Sequence, residues 1–144
     1  MDVMALISQV DLFRSLNESH RSYLARCTGT SQYQAGDVII RQGEQGSHLS
    51  IIVSGRVQVR RERPGREPIV LDELVAGQFV GEMALLDDRP RTATVVALED
   101  TSCLVLSKWH FRVELESHPE MALAILPEIS RRWREALDRL AVVA

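Results

Sequence analysis

The sequence predicts an α+β fold: a mainly β jelly-roll (double-stranded β-helix) barrel flanked by N-terminal helices and C-terminal lid helices. Three observations support this. Apolar residues recur at helical spacing near both ends of the chain. Between them, from residue 30 to 106, short β-rich runs alternate with turn residues. No long helical stretch follows each strand, so a parallel α/β sheet is disfavoured.

The elements follow in order. Leu6, Val10, Phe13 and Leu16 recur at three- and four-residue spacing, which is one face of a helix or of helical turns. Asn17 offers a side-chain oxygen as N-cap for a second helix over Glu18–Cys27. Gly29 is expected to end it. Strand-like runs then fall at Val38–Ile40, Leu49–Val53, Val57–Val59, Ile69–Leu71, Thr92–Leu98 and Cys103–Leu106, punctuated by Gly36-Asp37, Gly46, Gly55, Pro64-Gly65 and Glu99-Asp100. Ser107 can cap a helix beginning at Lys108. Pro119 suits the first position of the next helix, which runs to about Leu140. Met121, Ile125, Ile129, Trp133 (or Arg132), Ala136 and Leu140 form its apolar stripe, and Pro127 inside it should kink or divide it. The 144 residues therefore read as a single domain: a helical part over 1–29, the barrel over 30–106 and C-terminal helices over 107–144.

Composition excludes several classes of function. The net charge of −3 argues against a domain built mainly to grip nucleic acid. Cys27 and Cys103 stand 76 residues apart, which gives neither a disulfide framework nor a CxxC knuckle and points to a reducing, cytoplasmic setting. Apolar runs fall far short of the roughly 18–20 residues that span a bilayer. The four histidines (His20, His48, His110, His118) lack zinc-ligand spacing, so no metal site is expected. No triad or paired-carboxylate spacing suggests catalysis, so the chain reads as a non-enzyme. There are 16 Arg against one Lys. The run Arg60-Arg61-Glu62-Arg63-Pro64-Gly65-Arg66 reads as a solvated hairpin tip, and Arg131, Arg132 and Arg134 as a polar helix face or as partner-facing charges.

The chemistry concentrates in Gly77–Val95, a connection between strands that is too long for a tight hairpin. A helical turn starting near Gly81 presents unpaired backbone N–H groups, which with the helix dipole form an anion site. Arg91 lies just before the next strand, and its forked guanidinium suits two phosphate oxygens. Glu82 beside a phosphate makes sense if it accepts from a sugar hydroxyl. The inferred ligand is a sugar phosphate.

Phe79-Val80-Gly81-Glu82-Met83-Ala84-Leu85-Leu86 followed by Arg89-Pro90-Arg91-Thr92-Ala93-Thr94 resembles the phosphate-binding cassette of cyclic nucleotide-binding domains, here residues 79–94. That family includes catabolite activator regulators, kinase regulatory subunits and nucleotide-gated channels. Leu12-Phe13 with Leu16, Ala35–Glu44 and Ile51–Val57 resemble its other motifs. The resemblance implies that Glu82 binds the ribose 2′-hydroxyl and Arg91 the cyclic phosphate. Backbone N–H groups of Gly81, Ala84, Thr92 and of Glu82 or Met83 would complete the cradle. Thr92 is compatible with cGMP as well as cAMP. By count from Arg131-Arg132, Ala136 and Leu137 occupy the places where the catabolite activator contacts adenine. Neither can hydrogen-bond through its side chain, which leaves Leu137 or Leu140, with Val80, as a hydrophobic contact or lid on the base.

The resemblance implies a non-catalytic sensor of cAMP, and of cGMP as the open alternative, with no cofactor. Ligand binding would move the C-terminal helices, with Pro119 and Pro127 as hinges, and regulate a partner or a fused output domain. A homodimer through the C-terminal helix is one such output. The alternative is the sensor fragment of a transcription factor of the catabolite activator type without its helix-turn-helix, which would not itself bind DNA.

Overall fold

A computed structural model describes the backbone of residues 1–143 and the side chains of residues 1–141. Ala144, included in the expected helical end, lies outside the described residues. The chain begins with α1 (Val3–Gln9), a 3-10 turn (Asp11–Phe13) and α2 (Glu18–Arg26). Asn17 caps α2 as expected, its side chain accepting from the His20 N–H at 2.9 Å. Gly29 plays a different part from the expected one. The helix stops at Cys27 in ordinary right-handed geometry, and Gly29 is already the first residue of a strand.

Eight strands follow: β1 (Gly29–Tyr33), β2 (Val38–Ile40), β3 (His48–Ser54), β4 (Arg56–Arg63), β5 (Arg66–Val75), β6 (Phe79–Val80), β7 (Thr94–Ala97) and β8 (Thr101–Ser107). They form two antiparallel sheets, β1-β8-β3-β6 and β2-β7-β4-β5. Among the described residues no ladder joins one sheet to the other, so the jelly-roll is an open sandwich and not a closed barrel.

The alternation of side chains along β3 and β8 explains their nearly continuous apolar runs. Leu49, Ile51, Leu104 and Leu106 point to one face and pack with Phe13, Leu24, Phe111, Met121 and Ile125 of the helical parts. Ile52 and Cys103 point to the other face and meet Ile40, Val57, Leu74 and Val95 between the sheets. The central strands β3 and β8 are thus buried on both faces, and burial pushes the Cys103 thiol up to about 11.

The C-terminal part is α3 (Lys108–Ser117), capped by Ser107 Oγ accepting from the His110 N–H at 3.1 Å, and α4 (Glu120–Val143). Pro119 sits immediately before α4. Pro127 does not divide α4, which runs through it; the proline is exposed, so water can serve the carbonyl it leaves without a donor. Met121 and Ile125 are buried, whereas Ile129, Trp133, Leu137 and Leu140 of the same stripe are exposed. Among the described residues no helix is long and apolar enough to cross a membrane.

Candidate functional site

Residues between Val80 and Val95, with Ile40, Val59 and Leu71, line a cavity of about 470 Å³ on the sandwich, within the range of small-molecule sites. Its apolar wall comes from Ile40, Val59, Leu71, Val80 and Val95, and its other side from Gly81–Ala84 and Arg89–Ala93. All the cassette residues expected from sequence, Gly81, Glu82, Met83, Ala84, Arg91 and Thr92, with Val80, reach this cavity. Ala136, Leu137 and Leu140 do not line it, and Leu137 and Leu140 are exposed on α4.

Local geometry follows from the sequence. Gly81 has φ +88°, a left-handed conformation that favours glycine, and it opens a 3-10 turn over Glu82–Leu85. An added Cβ there would run into the Arg91 guanidinium and lie 3.1 Å from the His48 carbonyl. The Ala84 N–H, expected to be free for a ligand, closes this turn by donating to the Gly81 carbonyl at 3.1 Å. Opposite, Gly46 lets the loop before β3 approach closely: an added Cβ would lie 2.7 Å from Ala84 Cβ and 3.1 Å from Arg91 Nε.

Arg91 is pinned by its backbone and its side chain alike. Its N–H donates to the Glu44 carbonyl at 2.8 Å, and its carbonyl accepts from Gly43 at 2.9 Å. Nη2 donates to the His48 carbonyl at 2.7 Å and Nη1 to the Gly81 carbonyl at 3.3 Å. Among the described residues it forms no ion pair, and Asp88 pairs with Lys108 instead. Burial depresses the Arg91 pKa, with Glu82 opposing that trend. Burial and the Arg91 charge together hold the His48 imidazole below its ordinary value. The cavity thus contains a half-buried positive charge whose side-chain hydrogen bonds, among the described residues, go to carbonyl oxygens.

Glu82 is held differently. It accepts from Arg132 Nη1 of α4 at 2.7 Å. Arg132 also bonds Asp11 through Nε at 2.8 Å and through Nη2, and its guanidinium lies over the Phe79 ring at 5.9 Å. Burial opposes the charge on Asp11, yet Arg132 and Arg131 together keep the carboxyl below its usual value. Arg132 is therefore not part of a solvated helix face, as its sequence context suggested. It connects α4, the cassette and the N-terminal 3-10 turn. Arg132, Asp11 and His48 carry no local signal of these roles, because their partners are far away in the chain.

The cyclic nucleotide-binding domain profile matches residues 30–118. The chain belongs to the cyclic nucleotide-binding domain family. It is 37% identical over 106 residues to a cAMP-dependent protein kinase regulatory subunit of Candida albicans, covering 74% of this chain and 22% of that protein. It is 32% identical over 117 residues to human cGMP-dependent protein kinase 2, covering 80% of this chain and 15% of the kinase. The chain thus spans about a fifth of the length of such relatives. Among solved structures, the Thermus thermophilus catabolite activator protein superposes with TM-score 0.76 at 31% identity, over 92% of this chain and 62% of that one. The N-terminal domain of a Streptomyces coelicolor A3(2) transcriptional regulator superposes with TM-score 0.80 at 27% identity, over 94% of both chains. Within this cyclic nucleotide-binding domain, Arg91 is the cavity's half-buried cation, and Glu82 and Asp87 are the carboxylates that line it.

Proposed function

We propose that this domain is a non-catalytic sensor of a cyclic nucleotide, cAMP or cGMP, whose binding shifts the C-terminal helices and so controls a partner or a fused output domain. One observation carries the reading: a half-buried guanidinium, without an acidic partner among the described residues, faces a cavity of nucleotide size. An anionic phosphodiester supplies the charge that Arg91 lacks, through the fork geometry arginine favours. The ribose 2′-hydroxyl donates to Glu82, and the base rests against the apolar wall of Val59, Leu71 and Val80.

The mechanism is a population shift. Glu82 gives Oε1 to Arg132 and has Oε2 left, so ligand and α4 meet at one carboxylate, and a ribose hydroxyl that takes Oε1 displaces Arg132. Binding weakens the Arg132 link and frees α4 to move about the His118-Pro119 joint, with Leu137 and Leu140 of α4 as candidate covers for the base. Isothermal titration of cAMP and of cGMP into the intact chain and into Arg91→Ala tests this. Saturable binding of at least one nucleotide, lost in the variant, is expected. Binding absent from the intact chain, or unchanged by the substitution, overturns the reading.

A further inference from the structure

The histidines have no metal-ligand spacing along the chain, but the fold gathers two of them. His20 lies in α2, Glu114 in α3, His118 at the α3–α4 joint and Glu120 at the start of α4. His20 and Glu114 are buried, 5% and 8% exposed. One donor atom from each of His20, Glu114 and His118 lies within 4.8 Å of the other two. His20 Nδ1 is 3.4 Å from Glu114 Oε2, and His118 Nε2 is 3.7 Å from Glu114 Oε1. On the other flank, Glu120 Oε1 is 3.4 Å from His20 Nε2 and 3.3 Å from His118 Nδ1.

Two independent features separate this group from an ordinary polar cluster. The first is an orphan: His20 Nε2 is buried, points into the cluster and makes no hydrogen bond, since Glu120 lies within reach but outside hydrogen-bond geometry. Buried polar atoms are nearly always satisfied, so such an atom calls for a partner. The second is spacing. Ligand atoms around a tetrahedral zinc ion with bonds of about 2.0–2.1 Å are about 3.3–3.4 Å apart. One donor atom from each of His20, Glu114 and His118 lies within 4.8 Å of the other two, so side-chain shifts of about 1 Å bring the three to that spacing. Two imidazoles and two carboxylates form a donor set suited to zinc.

We propose that this domain binds one zinc ion through His20, Glu114 and His118, with Glu120 as the fourth ligand on the solvent side. The ion ties α2 to the joint between α3 and α4. It therefore fastens the N-terminal helices to the base of the helix that carries Arg132.

Titration calorimetry of the metal-free chain with zinc chloride, in the absence of nucleotide, tests the site. Co²⁺ serves as a parallel probe, because its visible absorption reports tetrahedral coordination. One equivalent of zinc should bind with a raised Tm, and the cobalt complex should show tetrahedral bands. His118→Ala and Glu120→Gln each alter a side chain with substantial exposure, 46% and 60%, so the fold should persist by circular dichroism. Each should weaken zinc at least about tenfold. No saturable binding by the intact chain overturns the proposal, as does equal affinity in both variants, which means adventitious surface binding only. Neither result bears on nucleotide binding, which is read separately through Arg91.

Discussion

Arg91 and Glu82 line the same cavity but are held by different parts of the molecule. Arg91 is gripped by carbonyls of Gly81 and His48, both fixed in the sandwich. Glu82 is held from outside the sandwich, by Arg132 of α4, which Asp11 holds in turn. The end proposed to take the phosphate is thus held by carbonyls of the β framework. The end proposed to take the sugar is held by a helix. A ligand that needs both ends reads the framework through one contact and the helix through the other.

Arg91→Ala is expected to have the largest effect. Losing a half-buried charge with two charge-assisted bonds should cost about 3 kcal/mol, or at least about 100-fold in nucleotide affinity by titration calorimetry. A small loss would mean that the framework end does not dominate. Gly81→Ala comes next. It adds about 1–2 kcal/mol of left-handed strain and displaces the Arg91 guanidinium, so urea denaturation should show lowered stability and titration about tenfold weaker binding. Unchanged affinity would break the claim that Gly81 shapes the Arg91 end.

Arg132→Ala addresses the helix-dependent end. It removes the competitor for Glu82, so affinity should rise roughly 3–10-fold while stability falls by about 1 kcal/mol, since Asp11 keeps only Arg131. A fall in affinity would mean that Arg132 supports the bound state and that the two ends do not differ in this way. The smallest effect concerns pH. His48 titrates below its ordinary value of 6.5 in the folded chain, so the unfolded chain binds more protons just below that pH. Stability should be fully present above pH 6.5 and decline as pH falls through it, by at most about 1.4 kcal/mol per pH unit. His48→Gln should flatten this slope in thermal melts at pH 5.5 and 7.5.

What the sequence revealed depends on how far apart the cooperating residues are. The cassette was legible because its glycine, carboxylate and arginine lie within one short segment whose spacing carries the chemistry. Asn17 and Ser107 were legible as caps because each serves an N–H three residues on. Arg132 and Glu82 are 50 residues apart, and His20 and Glu114 are 94 apart, so no local pattern announces either pair. β1 is a polar edge strand without clear alternation, and β6 is only two residues long; both escape periodicity. The positions of Ala136, Leu137 and Leu140 relative to the cavity depend on the direction in which α4 leaves the sandwich, which pairwise counting along the chain does not contain.

The unbroken passage of α4 through Pro127 has a mechanical consequence. Its 24 residues make a rod of about 36 Å, anchored near one end by Met121 and Ile125 and bare along the exposed Trp133, Leu137 and Leu140. A pivot of about 10° at the His118-Pro119 joint would sweep the far end through about 6 Å over that length. The same pivot moves Arg132, about 18 Å along the rod and beside the cavity, by about 3 Å, so the far end travels about twice as far and carries the uncovered apolar stripe with it.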